Sequence, residues 1–286
     1  MRRTLIALAG FAGLVATPAA AQTAYEQAEA AYGNGDYEAS AALFDQACDE
    51  GEAMGCTDLG FQHERGQGVA MDEALAALLY QKGCDGGNAL GCSNLGLFHE
   101  TGRGVAEDLA RSVALYRQGC DGGAPVGCNN LAKLFQEGRG VGEDMAQAVA
   151  LYRQACDEGL GLGCSNLGLL YETGDGVRAN LETAANLYRQ ACDGGDALGC
   201  SNLGVMYENG TGVSKDEALA LALYQQSCEG GDGLGCRNLA GALEYGVGTD
   251  AEPAVALMAY RRSLELGLDA EFVPEVEEAI ARLSAP

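Results

Sequence analysis

Cys84-Asp-Gly-Gly-Asn-Ala-Leu-Gly-Cys92, running on into Ser93-Asn-Leu-Gly-Leu-Phe-His-Glu-Thr-Gly-Arg-Gly-Val105, decides the fold, because the chain says it again and again. Working outward, Cys48, Cys84, Cys120, Cys156, Cys192 and Cys228 stand 36 residues apart, and each is followed eight residues later by Cys56, Cys92, Cys128, Cys164, Cys200 and Cys236. A period of this length is too long for a coiled coil or collagen. It falls in the range of helix-turn-helix solenoids, whose neighbouring units together bury a continuous apolar layer. The expected class is all-α: a disulfide-stapled α/α solenoid of about seven helix-turn-helix repeats.

Within one unit, Ala89 to Thr101 and Leu109 to Asp121 are the expected helices, separated by Gly102-Arg103-Gly104. The paired glycines return at Gly66 and Gly68, Gly138 and Gly140, Gly174 and Gly176, Gly210 and Gly212, and Gly246 and Gly248. Such glycines end a helix in the left-handed region. A phosphate cradle is rejected, since no preceding strand or P-loop lysine accompanies any pair. Asp72, Asp108, Asp144, Asn180 and Asp216 share the register of a second-helix N-cap, with Glu252 and then Pro253 in the last unit. Tyr80, Tyr116, Tyr152, Tyr188, Tyr224 and Tyr260 also share a register, and an aromatic in every unit is expected to pack between helices with its hydroxyl at the edge.

The first 21 residues carry Arg2 and Arg3, an apolar run from Leu5 to Ala16, and Pro18-Ala-Ala-Ala21 before Gln22. This is the pattern of a secretory signal cut after Ala21, giving a periplasmic or secreted protein with no membrane insertion after cleavage. Formal net charge is −24 and becomes two units more negative once those arginines leave. Nucleic acid is excluded as a partner for such a surface, whereas a basic peptide or protein is attracted to it. Cysteine usage agrees with an oxidising compartment. The C-x7-C spacing, with no C-x-x-C and only His63 and His99 in the chain, argues against metal or redox sites, so no metal and no cofactor is expected.

Gly91-Cys-Ser-Asn-Leu-Gly-Leu-Phe-His-Glu-Thr-Gly-Arg-Gly-Val105 with Ala114-Leu-Tyr-Arg-Gln-Gly-Cys-Asp121 resembles the Sel1-like repeat in its cysteine-rich form, as in the Hcp family of secreted bacterial proteins. The resemblance implies a right-handed α/α superhelix with a concave face lined by the first helices. It also implies the penicillin-binding or weak β-lactamase activity under which that family is often filed. The expected organisation is a signal peptide over 1–21, a tetratricopeptide-like capping repeat over 22–54, six repeats over 55–270 and a capping helix over 271–286. Pairing Cys56 with Cys84, and so on down the array, would strand Cys48 and Cys236. Pairing Cys48 with Cys56, Cys84 with Cys92, Cys120 with Cys128, Cys156 with Cys164, Cys192 with Cys200 and Cys228 with Cys236 uses all twelve and suits antiparallel helices.

For function, no S-x-x-K, S-D-N or K-T-G string occurs and the two histidines are too few for a zinc hydrolase, so no catalytic residue is nominated. Asp58, Asn94, Asn130, Asn166, Asn202 and Asn238 share one register of the first helix. Three residues on lie Phe61, Leu97, Lys133, Leu169, Val205 and Gly241. If the first helices line the concave side, the amides make a ladder able to grip an extended peptide backbone while the apolar positions select its side chains. Alternatively each amide bonds the neighbouring turn and holds the repeats together. The leading expectation is an exported scaffold binding a peptide or protein segment in its groove. A β-lactam or muropeptide binder and an envelope assembly or quality-control adaptor are the alternatives.

Overall fold

The computed structural model describes residues 22–285, fifteen helices with no strand among them. The expected signal peptide and its cleavage point after Ala21 lie outside the described residues. The chain opens with a short hairpin, α1 (Ala24–Gly33) and α2 (Tyr37–Asp49). Six hairpins follow, five of one length and the last one residue longer: α3 (Ala53–Arg65) with α4 (Glu73–Asp85), α5 (Ala89–Thr101) with α6 (Leu109–Asp121), and α7 (Pro125–Glu137) with α8 (Met145–Asp157). Then come α9 (Gly161–Thr173) with α10 (Leu181–Asp193), α11 (Ala197–Asn209) with α12 (Glu217–Glu229), and α13 (Gly233–Tyr245) with α14 (Pro253–Leu266). A last helix, α15 (Val273–Ser284), closes the array with Val276 and Ala279 buried against it.

Local chemistry sets these boundaries. Asp72, Asp108, Asp144, Asn180 and Asp216 each accept a hydrogen bond from the backbone N–H three residues on, which satisfies a donor that a helix start leaves open. Glu252 makes no such bond, and Pro253 opens α14 instead, where a missing N–H costs nothing. The first helices end on left-handed glycines such as Gly102, with φ of 69°. Asn88, Asp196 and Asp232 also cap first helices through their side chains, a signal that the irregular residues at that register conceal in the sequence.

Packing is from unit to unit rather than around one centre. Separate buried clusters follow one another along the chain, each built from the facing helices of a hairpin and its neighbours. Tyr80, Tyr116, Tyr188 and Tyr224 are fully buried at their core. The ring of Tyr116 lies against Gly96 of α5, where an added Cβ would come within 2.8 Å of the ring, so the missing side chain is what brings the two helices together.

Six disulfides, Cys48–Cys56, Cys84–Cys92, Cys120–Cys128, Cys156–Cys164, Cys192–Cys200 and Cys228–Cys236, join the second helix of one hairpin to the first helix of the next. Their Cα atoms lie 4.4 to 4.6 Å apart. Consecutive first helices, α3 with α5 through α11 with α13, also touch one another directly, and consecutive second helices do not to a comparable degree. Units that approach more closely on one side curve toward it. The first helices therefore form the inner wall of the solenoid.

Candidate binding groove

In a helix, residues at i, i+4, i+7 and i+11 share a face. On α5 these are Leu90, Asn94, Leu97 and Thr101, all exposed or half-buried, while Leu95 and Phe98 between them are buried. Repetition turns this stripe into rows across the inner wall. The candidate amides make the middle row, and Phe61, Leu97, Lys133, Leu169, Val205 and Gly241 make the row beside it. Of the latter, Leu169 is 47% exposed, and Leu97 and Val205 are nearly as open. A row absent from the sequence reading lies four residues before the amides: Met54, Leu90, Val126, Leu162, Leu198 and Leu234. Its signal was legible as an apolar residue at i−4 from every amide, but it sits so near the helix start that it passes for a boundary residue.

The amide row is half-buried throughout, and part of its hydrogen-bonding capacity is spent between units. Asn166 Nδ2 donates to Asn129 Oδ1 of the preceding unit at 2.8 Å, and Asn238 Nδ2 donates to Ser201 Oγ at 3.3 Å. Asn130 Oδ1 accepts from Asn129 at 3.2 Å. Asp58 accepts a hydrogen bond from Tyr25 of the opening hairpin at 2.9 Å, and burial raises the carboxyl above its usual range despite that bond. Asn94 and Asn202 make no side-chain hydrogen bond within the described residues and keep both donors and acceptor for the groove. The row therefore divides: some amides brace the array, and others are available.

A second polar row runs deeper. Tyr80, Tyr116, Tyr188, Tyr224 and Tyr260 donate their hydroxyls to Glu64, Glu100, Glu172, Glu208 and Glu244, sixteen residues back, at 2.6 to 3.0 Å. Tyr152 donates to Gln136 at 2.9 Å. Burial, and next the neighbouring carboxylate, raises every one of the carboxylate-paired tyrosines above the usual tyrosine range. His63 and His99 serve the turns instead: their Nδ1 atoms lie 3.1 and 3.2 Å from the carbonyls of Ala70 and Ala106, which places the proton on Nδ1. Tyr171 and Tyr207, at the same register, instead take hydrogen bonds from Arg153 and Arg189 at 2.7 and 2.8 Å.

Two concavities follow from this layout. A broad trough of about 630 Å³ runs along the outermost apolar row, lined by Met54, Leu90, Pro125, Val126 and the glycines of the intervening turns. A narrower cavity of about 320 Å³ lies between α11 and α13 and is bounded by Glu208, Tyr224, Asn238, Tyr245 and Tyr260.

Comparison with known proteins places this architecture. The Sel1 repeat family model matches residues 53–88, 89–123, 125–160, 161–196 and 197–232, well over half of the chain. The solved structure of c5321, a protective antigen of uropathogenic Escherichia coli, is 30% identical, with a TM-score of 0.70. The match covers 91% of this chain and 56% of that one. A Sel1 repeat protein from Oxalobacter formigenes has the same fold at 23% identity and a TM-score of 0.73, covering 88% of this chain and 99% of that one. HcpE of Helicobacter pylori, which bears a provisional beta-lactamase name, is 46% identical over 44 residues, 15% of this chain. The chain spans only 12% of HcpE's length.

Proposed function

Since the chain belongs to the Sel1 repeat family, we propose that it is an extracytoplasmic scaffold that binds a peptide or protein segment along its inner wall. The observation that carries this is the apolar row Phe61, Leu97, Leu169 and Val205, kept open to solvent beside half-buried amides. Isolated apolar residues on a surface need no explanation, but apolar positions at one repeated register along a curved wall form a track, interrupted here by Lys133. Six disulfides fit an oxidising compartment, and an array of this kind presents its wall without rearrangement, so little ordering of the protein opposes binding. Asn94 and Asn202 supply donors and acceptors suited to an extended backbone, and the apolar row supplies shallow seats for its side chains.

The short match to HcpE covers little more than one unit and supports the repeat rather than a hydrolase chemistry. Turnover of a β-lactam would need a nucleophile and a base held together, and none of the rows described above brings such a pair into a pocket.

A displayed library of random peptides, panned against the oxidised protein, tests the proposal. Selected peptides are expected to bind with micromolar affinity and to lose at least tenfold when Leu97 and Leu169 are both changed to Asp. Leu78→Asp, at a position 55% exposed on a second helix, should leave binding unchanged. Peptides that bind the Leu97→Asp, Leu169→Asp protein as well as the parent would overturn the assignment of the groove.

A further inference from the structure

The tyrosine–glutamate row is finished in two ways along the chain. In the early units a guanidinium completes it. Arg103, from the turn of the next unit, donates to Glu64 at 2.9 Å, and Arg139 does the same to Glu100 at 2.8 Å. At the far end Arg282 of α15 donates to Glu244 at 2.6 Å. Three times, therefore, a carboxylate already holding a tyrosine hydroxyl takes an arginine from this chain on its other oxygen. At the register of Arg103 and Arg139 the later units carry Asp175, Thr211 and Val247. Gln136, the residue in line with Asp175, is neutral, so no two acids oppose each other there. Glu172 and Glu208 are acids, and among the described residues no cation is bonded to either.

Glu208 differs from Glu172 in having space in front of it. The cavity of about 320 Å³ opens there because Gly241 stands where other units carry Phe61 or Leu97, and Val247 stands where they carry arginine. A Cβ added at Gly241 would meet only the Tyr260 hydroxyl, at 3.8 Å. Tyr260, buried, closes the opening from below, and Tyr245, 71% exposed, walls it with a ring face on which a planar guanidinium stacks favourably. Two cations lie near Glu208: Arg237, which itself lines the cavity, is bonded to both oxygens of Glu275, also in the lining, at 2.8 and 2.7 Å, and Lys215 is bonded to Glu217 at 2.7 Å.

We infer that Glu208, with Tyr224 behind it and Tyr245 and Tyr260 beside it, is a subsite for the guanidinium of an arginine carried by the bound segment. It rests on the proposed groove and gives that groove one fixed chemical contact. The partner's arginine takes the place that Arg103 takes on Glu64. Its planar fork meets the carboxylate oxygen left open by the Tyr224 hydroxyl, in a site already shielded on two sides.

The probes are acetyl-Ala-Arg-Ala-amide and the same peptide with citrulline, which keeps the shape of arginine and loses its charge. Binding is followed by amide chemical shifts of the labelled, oxidised protein. The arginine peptide should bind at least fivefold more tightly than the citrulline peptide and shift residues around Glu208. Glu208→Gln should remove that preference and still fold, since Gln136 already serves Tyr152 in the same way. Val247→Arg should also remove it, by supplying the chain's own arginine. Glu64→Gln, at a position already filled, should change nothing. Equal binding of the two probes, or an undiminished preference in Glu208→Gln, would overturn the subsite. Loss of library peptides on Leu97→Asp with no arginine preference would leave the groove standing and the subsite refuted. Arginine preference lost on Glu208→Gln, with library peptides indifferent to Leu97→Asp, would leave the subsite standing without the groove.

Discussion

Replacing Gly104 with alanine, beside a matched replacement of Gly87, isolates how much of the array is held by contact between units. Both glycines have a positive φ, 62° for Gly104 and 91° for Gly87, so each substitution forces a side chain into the left-handed region at a cost of about 1–2 kcal/mol. Their surroundings differ. A Cβ at Gly87 has no heavy atom within 4 Å, whereas one at Gly104 would be driven into the carbonyl oxygen of Glu73, at the start of the preceding unit's second helix. Relieving that overlap means parting two units, and overpacking of this kind adds about 1–3 kcal/mol. Gly104→Ala should therefore cost about 3 kcal/mol and Gly87→Ala about 1. For a protein of this size these correspond to falls in thermal midpoint of about 10 °C and about 3 °C. Circular dichroism melts of the oxidised proteins at neutral pH and one ionic strength measure both. Equal shifts, or a larger one for Gly87→Ala, would show that the turns tolerate displacement and that unit spacing is set elsewhere.

Each disulfide closes a loop of about nine residues, worth about 2.5 kcal/mol in the chain-entropy model. Because central units lean on two neighbours, Cys156→Ser with Cys164→Ser should lower the midpoint more than Cys48→Ser with Cys56→Ser. Matched melts check this, and equal falls refute it. The buried tyrosines predict alkaline lability. Their folded pKa values lie above the unfolded value of about 10, so the unfolded chain releases protons first, and stability present below pH 10 is lost as pH rises beyond it. Each tyrosine withheld from ionising steepens the loss by about 1.4 kcal/mol per pH unit, visible as the buried rings' share of the tyrosinate absorbance appearing only with loss of helix. The full tyrosinate absorbance of the chain developing while helix content stays constant would contradict the burial. Asn166→Ala should cost about 1 kcal/mol through its lost bond to Asn129, while Asn94→Ala should leave urea unfolding unchanged. Identical costs would mean that the amide row has a single role.

The solenoid was legible because a repeat writes each boundary several times. Asp108 or Gly102 alone is a weak signal, but the same residue type at the same register in most units is a strong one, and helices expected at Ala89 to Thr101 and Leu109 to Asp121 occur with those bounds. Lateral bonding was less legible. Whether Asn166 reaches groove or neighbour depends on how far one unit is offset from the next, and a single unit's sequence contains no measure of that offset. The glutamates are hard to read from sequence for a related reason. Glu64, Glu100, Glu172, Glu208 and Glu244 are almost as regular as the tyrosines, with Gln136 the one exception, yet acids near helix ends pass for solvated surface until the fold brings a hydroxyl onto each. Arg103 could not be linked to Glu64, 39 residues away, without knowing that one unit's turn lies over another's helix.

Every disulfide joins a cysteine to the next cysteine in the chain. An oxidant meeting the polypeptide from its N-terminus would find, at each step, that the first two thiols to appear are a correct pair. Order of emergence then does the work of proofreading. Errors arise when oxidation lags and an odd thiol is left waiting for a partner from a later unit. A chain reduced whole and reoxidised all at once should scramble, while one oxidised progressively from its N-terminus should not.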